Sequence, residues 1–277
     1  MIINATLLEK IPVSLTNKIN SFNFLSRIIG FKGAIEYRIK HKLLYLLSRL
    51  GIDVASKQFC ISLKGYKHPL LIRYGTSDIH VLHQIFVEQE YSCLTDVVSP
   101  KLIIDCGANV GYSSAYFLNK YPEAHVIAVE PDSSNFEVCR KNLLPYGHRV
   151  SLIHAGVWFR EVGLKLIKGH YRDCREWTVQ VRECEPQDEP DIHAVDIGSL
   201  LSKSNFEYID ILKVDIERSE LVVFSENYED WLSRVKNIVI ELHDEECEKV
   251  FFKAVDRYKY DLSSCGELTV CKGMKCL

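Results

Sequence analysis

Acidic residues and glycines follow one another where short apolar runs of the sequence end. The run KLIIDC contains Asp105 and leads into Gly107 and Gly111, and the run AHVIAVE ends at Glu130. Glycines at such a bend let the backbone approach a ligand closely, and an acid after the second strand can accept hydrogen bonds from both hydroxyls of a ribose. This spacing predicts a nucleotide-binding site.

The loop between these acids departs from the pattern of a dinucleotide site. Asn109 stands where that pattern has its second glycine. Asp105 would repel a pyrophosphate, whereas a carboxylate suits a cationic or hydroxyl-bearing ligand. The loop therefore favours S-adenosylmethionine, and an NAD-dependent oxidoreductase that uses Glu130 for the ribose is the alternative.

Two later apolar runs also carry polar side chains at their ends. YIDILKVD ends at Asp215, with Glu217 just beyond it, and NIVIELH contains Glu241 and His243. Because the carboxyl ends of parallel strands meet at one crevice, and side chains that take up protons can act there as general bases, these four residues are the catalytic candidates. His243 has the intrinsic pKa best suited to a base. The alternative role for Glu241 is a structural ion pair with Lys213.

Three of these residues could also bind a metal ion. Asp215, Glu241 and His243 offer ligands for a divalent ion. No Asp-Asn pair follows Asp215 to complete a ligand set, so we expect no metal. His80 and His83 lie one helical turn apart without a third ligand, and we expect them to be structural.

An alternation of strands and helices must bring these residues together. From Lys101 onward, apolar runs alternate with helical segments, which predicts a doubly wound, mostly parallel α/β sheet. Alternation with period two between Val157 and Val195, as in LKLIK and WTVQV, predicts an antiparallel insertion. The predicted strands are KLIIDC, AHVIAVE, RVSLIHA, YIDILKVD and NIVIELH.

These motifs together resemble a known family. IDCGANVGYSS, AVEPDSSNFE, LKVDIE and IVIELHDE are similar to segments of the FkbM-type S-adenosylmethionine-dependent methyltransferases. The resemblance includes LIRYGTSDIHVLHQIFVEQEY, HAGVW and EWTVQV, and it covers roughly Pro69 to Asp244. It implies the class I methyltransferase (Rossmann-like) sheet, S-adenosylmethionine as cofactor, and O-methylation of a sugar, glycan or other small polar metabolite.

The resemblance also implies which residues bind the cofactor. They lie in the glycine loop, at the acid expected to bind the ribose, near the expected position of the adenine, and in a loop that precedes a helix. In that last loop, the alternative role of Thr76 or Ser77 is to cap the helix. The implied residues are Asp105, Gly107, Ala108, Asn109, Gly111, Ser77, Asp78, Glu130, Pro131, Ala155 and Trp158.

One position departs from the family pattern. The family most often reads IEGAE, whereas this chain reads IERSE, with Arg218 in place of the glycine. The larger side chain adds bulk beside the expected site. A catalytically degenerate scaffold that keeps the methyltransferase fold is therefore a further alternative.

The amino-terminal part differs in character. Apolar residues recur at helical spacing between Phe31 and Leu50, and Gly51 is placed to end the helix. A core-packing or dimerising helix is the favoured interpretation, and peripheral contact with an anionic membrane is the alternative, because Lys and Arg outnumber the acids here. We predict a helical extension over residues 1–65 and a methyltransferase domain over residues 66–277.

Composition excludes several classes of protein. The 277 residues are 47% hydrophobic and 26% charged, as in an ordinary globular protein, and the net charge of -3 gives no overall basic field for nucleic acid. The 10 cysteines contain no CxxC pair, and no apolar run reaches the length of a membrane span, so we expect a cytoplasmic protein with reduced thiols. The expected partner is a small-molecule or carbohydrate acceptor, and the sequence leaves the oligomeric state open.

Overall fold

The chain forms two units that are described separately. The computed structural model describes residues 13–52, 54, 57–167 and 180–277, with side chains from residue 25 onward. The first unit ends at Gly75 and the second begins at Thr76. The division into a helical extension and a methyltransferase domain after residue 65 stays a prediction. Among the described residues, no helix is both long and apolar enough to cross a membrane.

The first unit contains a long helix and a hairpin. Helix α1 (Val13–Arg49) is interrupted at Gly30, which has a φ of 76°. Strands β1 (Gln58–Ile61) and β2 (Leu70–Arg73) pair antiparallel. The helix predicted after Phe31 is present, whereas the sequence analysis missed the hairpin, because its strands are short and only partly apolar.

One side of α1 leaves its apolar residues exposed. Phe31, Ile39 and Leu43 are 67%, 62% and 55% exposed, although Ala34 is fully buried. The helix ends before Gly51, whose φ of 76° is left-handed. The apolar stripe predicted from the spacing is therefore largely solvent-accessible in this unit.

The second unit is built around a seven-stranded sheet. Five neighbouring strands are parallel, and a carboxy-terminal antiparallel hairpin extends the sheet beyond them. The sheet thus confirms the predicted mostly parallel α/β class, and the hairpin is an addition that the sequence analysis missed. In spatial order the strands are β12 (Tyr258–Cys265), β13 (Leu268–Cys276), β11 (Asn237–Glu241), β10 (Ile211–Val214), β3 (Leu102–Cys106), β4 (His125–Glu130) and β5 (Val150–His154).

Helices connect the parallel strands, as a parallel sheet requires. Several of them begin at an aspartate: the Asp132 side chain accepts hydrogen bonds from the backbone N–H groups of Ser134 and Asn135, and Asp196 and Asp244 act in the same way on other helices. The helices are α2 (Asp78–Phe86), α3 (Tyr112–Lys120), α4 (Ser133–Leu143), α5 (Ile197–Lys203), α6 (Glu220–Val223), α7 (Glu229–Leu232) and α8 (Glu245–Val255).

A smaller sheet lies between β5 and α5 in the sequence, where we predict an antiparallel insertion. Its strands occur in the order β6 (Gly156–Val157), β9 (Ile192–Val195), β7 (Gly163–Ile167) and β8 (Gln180–Glu183). The pairs β7–β8 and β7–β9 are antiparallel, which confirms the prediction, and β6–β9 is parallel. Part of the predicted WTVQV strand lies outside the described residues, and the described end of this segment belongs to β8.

The core of the second unit lies along the central strands. Ile104, Leu212 and Ile238 are fully buried on three adjacent strands. Their continuous apolar runs, which are typical of strands covered on both faces, explain why these strands were predictable. The rigid sheet holds the polar residues at its carboxyl edge in fixed positions.

Candidate active site

A cavity of about 370 Å³ opens at the carboxyl edge of the central strands. This is the edge at which open α/β sheets bind ligands. Residues that follow β3, β4, β10 and β11 all contribute to its lining. The predicted residues that line it are Gly107, Ala108, Asn109, Glu130, Pro131, Asp215, Glu217 and Glu241.

Gly107 is the tightest point of the loop after β3. Its φ is 81°, and a Cβ atom added to it would lie 1.8 Å from the backbone oxygen of Asp215. Only glycine fits here, because any side chain would overlap the neighbouring strand end. The backbone N–H groups of Gly107 and Ala108 donate to the carbonyl of Val129 at 3.0 and 2.9 Å, which joins this loop to β4.

Glu130 stands at the end of β4 with both carboxylate oxygens held by the backbone. The N–H of Asn109 donates to Oε2 at 2.8 Å, and the N–H of Asp132 donates to Oε1 at 2.9 Å. Burial raises the pKa of Glu130 to about 7, although these two hydrogen bonds oppose the rise. The carboxylate is thus fixed in direction beside the glycine loop, as a ribose-binding acid must be.

Asp105 lies beneath the cavity and does not line it. The carboxylate is fully buried, and its Oδ2 accepts hydrogen bonds from the hydroxyls of Ser113 and Ser114, each at 2.6 Å. Lys213 Nζ lies 3.1 Å from Oδ1. In this structure Asp105 holds the start of α3 and pairs with a buried lysine, and its contact with the cofactor stays a prediction.

Other residues implied as cofactor contacts also lie outside the cavity lining. Ser77 and Asp78 are buried at the start of α2, where the Ser77 side chain makes no capping hydrogen bond and the Thr76 hydroxyl accepts from the N–H of Asp78 at 3.3 Å. Ala155 and Trp158 are buried on either side of Gly156 and Val157, which do line the cavity. Gly111 is the left-handed residue that precedes α3. None of these five residues is part of the cavity lining.

The catalytic candidates come together at one wall of the cavity. Asp215, Glu217 and Glu241 line it, whereas the His243 side chain is fully buried behind them. His243 Nε2 lies 3.8 Å from Asp215 Oδ1, 3.5 Å from Glu217 Oε2 and 3.6 Å from Glu241 Oε1. Its Nδ1 lies 3.3 Å from Oε1 of the buried Glu220.

The charge around His243 decides its protonation. Burial lowers its pKa, but the carboxylates of Glu220, Asp215 and Glu241 raise it more, so that the pKa is about 9. An imidazole with that pKa is protonated at neutral pH when no other cation is bound, and it then has no lone pair for an acceptor proton. The carboxylates that line the cavity are therefore better placed as bases than His243.

Lys213 pairs with two acids rather than with Glu241. It lies 3.1 Å from Asp105 and 3.7 Å from Asp215, and it donates to the carbonyl of Gly107 at 2.6 Å. Burial lowers the pKa of Lys213, but the two carboxylates raise it above its ordinary value. The Glu241–Lys213 pair that the sequence left as an alternative is thus replaced by an Asp105–Lys213–Asp215 arrangement.

Arg218 points away from the cavity. Its Nε lies 2.6 Å from Asp244 Oδ2 and its terminal nitrogen 3.2 Å from Glu246 Oε2. Its φ of 77° is left-handed, which explains why a glycine is usual at this position of the family pattern. Because Arg218 does not line the cavity, the substitution gives no structural reason for a degenerate site.

The sequence analysis missed part of the opposite wall. Gln84 and Glu90 line the cavity, and Gln84 Nε2 donates to Glu90 Oε1 at 2.6 Å. Burial, followed by the charge of Asp215, raises the pKa of Glu90 to about 7. Asn135 of α4 and Glu267 of the terminal hairpin also line the cavity. The segment HQIFVEQEY was noted as part of the resemblance, but nothing in its spacing showed that it folds over a strand edge.

Comparisons with known proteins agree with this geometry. A family profile described as "Methyltransferase FkbM domain" matches residues 105–267. Methyltransferase sdnD of Sordaria araneosa is 27% identical over 195 residues, which span 58% of this chain and 73% of that protein. Methyltransferase 1 of Beauveria bassiana is 24% identical over 188 residues, which span 60% of this chain and 74% of that protein.

A solved structure was also found by similarity of fold. A methyltransferase from Geobacter sulfurreducens aligns at a TM-score of 0.41 with 15% identity, over 71% of this chain and 88% of that chain.

Proposed function

This chain belongs to the FkbM methyltransferase family, and we propose that it transfers a methyl group from S-adenosylmethionine to a hydroxyl oxygen of a sugar, a glycan or another small polar metabolite. The observation that carries this proposal is the shared cavity. Glu130 and the glycine loop form one end, and Asp215, Glu217 and Glu241 form another part of the same lining.

The donor groups at the first end suit the nucleoside part of the cofactor. Both oxygens of Glu130 are held by backbone N–H groups, so their remaining lone pairs can accept hydrogen bonds from the two ribose hydroxyls. The tight turn at Gly107 keeps the loop backbone beside this carboxylate. Among the described residues that line the cavity, Lys213 is the only basic side chain, and it is already paired with Asp105, so a pyrophosphate would meet a mainly acidic surface. These features support S-adenosylmethionine over a nicotinamide dinucleotide.

When bound, S-adenosylmethionine supplies a methyl group, and the electron pair of the broken C–S bond stays on sulfur. The protein must place the acceptor oxygen in line with that methyl group and remove its proton. Asp215, Glu217 and Glu241 line the cavity and can accept this proton. The resulting carboxylic acid returns the proton to water when the methylated product leaves.

The acidic lining also selects the acceptor. Glu90, Asp215, Glu217, Glu241 and Glu267 all line the cavity. Carboxylates accept hydrogen bonds from hydroxyl groups and repel phosphates and other carboxylates. We therefore expect a neutral acceptor with several hydroxyls and not a nucleic acid.

Calorimetric titration of the purified full chain tests the cofactor. We expect S-adenosylmethionine and S-adenosylhomocysteine to bind and NADH not to bind. A set of neutral sugars and sugar phosphates, incubated with methyl-labelled S-adenosylmethionine, then tests the acceptor, with label expected only in the neutral compounds. Binding of NADH alone would overturn the methyltransferase assignment of the cavity, and label in the phosphates alone would overturn the acceptor class.

We also propose a cytoplasmic location. The cysteines among the described residues are free thiols, including the buried Cys106 and Cys139. Reduced thiols are typical of the cytosol. Localisation of the tagged full chain by fractionation would test this, and recovery in an oxidising compartment would contradict it.

A further inference from the structure

We propose that Asp215, Glu241 and His243 bind a divalent metal ion at the wall of the cavity, where it would hold the acceptor. One ligand atom from each residue lies within 4.8 Å of the others. This proposal reverses the expectation from the sequence that no metal is bound. The metal site itself rests on local geometry, and its role toward the acceptor rests on the proposed function.

His243 supplies the observation that separates this site from an ordinary acidic cluster. The residue is 8% exposed, and its Nε2 has no hydrogen-bond partner among the described residues. Nε2 nevertheless faces Asp215 Oδ1 at 3.8 Å and Glu241 Oε1 at 3.6 Å. A buried ring nitrogen aimed between carboxylates without a hydrogen bond indicates a group that is absent from the chain itself.

The distances suit ligands of one ion. Metal–nitrogen and metal–oxygen bonds of about 2.0–2.2 Å place two ligand atoms roughly 3–4 Å apart, depending on the angle at the metal. The separations of Nε2 from the Asp215 and Glu241 oxygens fall in this interval, beyond the length of a good hydrogen bond. Glu217, whose Oε2 lies 3.5 Å from Nε2, is placed to approach the same ion.

Glu220 orients the imidazole from the opposite side. Its side chain is fully buried, and its Oε1 lies 3.3 Å from His243 Nδ1 while accepting the N–H of Ile216 at 2.8 Å. Metal-binding histidines characteristically direct the second ring nitrogen to a carboxylate, which fixes the ring and keeps the other nitrogen directed at the metal. Glu220 Oε1 faces Nδ1 from this side, at 3.3 Å and without a hydrogen bond, so the pair could take up this arrangement when an ion is bound at Nε2.

The local charge is also suited to a divalent cation. Asp215, Glu217, Glu220 and Glu241 all approach His243. Lys213 lies 3.7 Å from Asp215 but 3.1 Å from Asp105, with which it is more closely paired. One imidazole and several carboxylates suit a first-row transition ion better than Ca²⁺, which prefers oxygen ligands alone.

An ion at this place would face the acceptor. Asp215 and Glu241 line the cavity, so open coordination positions would be directed into it. A hydroxyl bound to such an ion loses its proton more readily. The proton would pass to a carboxylate such as Glu217, the oxygen would form its bond to the methyl carbon, and the C–S bond would break with its electron pair on sulfur.

Binding of Mn²⁺ to the chelator-treated full chain tests the proposal. We expect the electron paramagnetic resonance signal of free Mn²⁺ to fall until one ion is bound per chain. D215N and H243Q should each weaken binding at least tenfold, whereas E248Q, which changes an exposed acid on α8, should not. Circular dichroism of each variant checks the fold, and D215N keeps the test informative if the buried H243Q variant unfolds.

Titration of S-adenosylhomocysteine into the same samples separates this proposal from the proposed function. Loss of Mn²⁺ binding in D215N with S-adenosylhomocysteine binding retained supports a separate metal site. Absence of Mn²⁺ binding in a folded chain that binds S-adenosylhomocysteine overturns the metal site and leaves the cofactor assignment intact. Mn²⁺ binding that is equal in D215N, H243Q and the unchanged chain also overturns it.

Discussion

The ammonium nitrogen of Lys213 lies 3.1 Å from Oδ1 of Asp105, and both side chains are almost completely buried beneath the cavity. Lys213 lies on β10 and Asp105 on β3, so this pair links the two strands. Lys213 also donates to the carbonyl of Gly107, in the loop after β3, at 2.6 Å. The lysine therefore joins the strand that carries Asp215 to the loop beside Glu130. The position of the glycine loop therefore depends on Lys213.

Removing one partner of this pair should strongly destabilise the protein. Lys213→Met leaves the Asp105 carboxylate buried without its cation, and such a change costs about 3–5 kcal/mol of unfolding free energy. Urea unfolding followed by circular dichroism measures it. Lys236→Met is the matched control, because Lys236 is about half exposed in its pair with Asp210 and should contribute less than about 1 kcal/mol. A similar loss in both variants would contradict the structural role of the buried pair.

Gly107→Ala should disrupt the loop more than the same change at another left-handed glycine. An added Cβ would meet the backbone oxygen of Asp215 at 1.8 Å, so β3 and β10 would have to separate. Gly266 has a φ of 61° and open space around it, and Gly266→Ala should cost only about 1–2 kcal/mol from backbone strain. We expect Gly107→Ala to exceed that loss and to abolish binding of S-adenosylhomocysteine. Equal stability of the two variants would show that close contact is not what requires glycine at this position.

Much of this architecture could be predicted from the sequence, and the reasons are physical. The apolar runs around Ile104, Leu212 and Ile238 indicate strands buried on both faces, and their order along the chain places Glu130 and Asp215 at one edge. Side-chain direction could not be predicted in the same way. Asp105 occupies a strand end like Glu130, yet it turns under the loop, because Lys213, Ser113 and Ser114 provide buried partners there.

The terminal hairpin and the opposite wall escaped prediction for a different reason. Strands β12 and β13 are largely exposed and polar along one of their faces, so their residues lack the continuous apolar pattern of the central strands. Glu90 and Glu267 reach the cavity through long-range packing that local spacing does not record. His243 was predicted as a candidate base, but its burial among four carboxylates depends on Glu220, which lies on another element.

Cofactor affinity should increase with pH through neutrality because of Glu130. Its pKa of about 7 lies above the ordinary value of 4.5, since burial favours the protonated form. The ribose hydroxyls donate to the ionised carboxylate, so binding should strengthen as the pH rises, by about tenfold between pH 6 and 8. Calorimetry with S-adenosylhomocysteine measures this change.

The variants of this experiment separate Glu130 from other titrating groups. Glu130→Gln should weaken binding and flatten its pH dependence, because the amide does not ionise. Glu137→Gln, which changes an exposed acid on the following helix α4, should leave both the affinity and its pH dependence unchanged. The assignment of Glu130 to the ribose fails if Glu130→Gln retains the full affinity and slope.

Substitutions at Arg218 should separate backbone strain from ion pairing. Arg218 has a φ of 77° and contacts Asp244 and Glu246 on the surface. Arg218→Ala removes the ion pairs and keeps the strain, whereas Arg218→Gly removes both, so the glycine variant should be more stable than the alanine variant by about 1 kcal/mol. Thermal and urea unfolding compare them. Since Arg218 does not line the cavity, both should bind S-adenosylhomocysteine normally, and a loss of affinity in Arg218→Gly would contradict that placement.

Two functions of the exposed side of α1 can be tested: binding to an anionic membrane and dimerisation. Phe31, Ile39 and Leu43 are exposed among basic residues such as Lys32 and Lys42, a combination that suits an anionic lipid surface. If this side binds a membrane, the full chain should sediment with vesicles that contain phosphatidylserine at low salt, and the bound fraction should fall at high salt because screening weakens the attraction. Lys32→Glu with Lys42→Glu should reduce sedimentation.

Dimerisation through the same helix side makes the opposite prediction. Sedimentation velocity would then show a dimer, and Ile39→Ser would convert it to a monomer because a polar residue would replace an apolar one at the contact. The vesicles would bind neither the dimer nor the monomer. Lys253→Glu, an exposed charge change in the second unit, is the control in both experiments. A monomer that does not sediment with vesicles at low salt would contradict both interpretations. The exposed apolar side chains of α1 would then face solvent, which proteins tolerate when apolar residues are dispersed among charges.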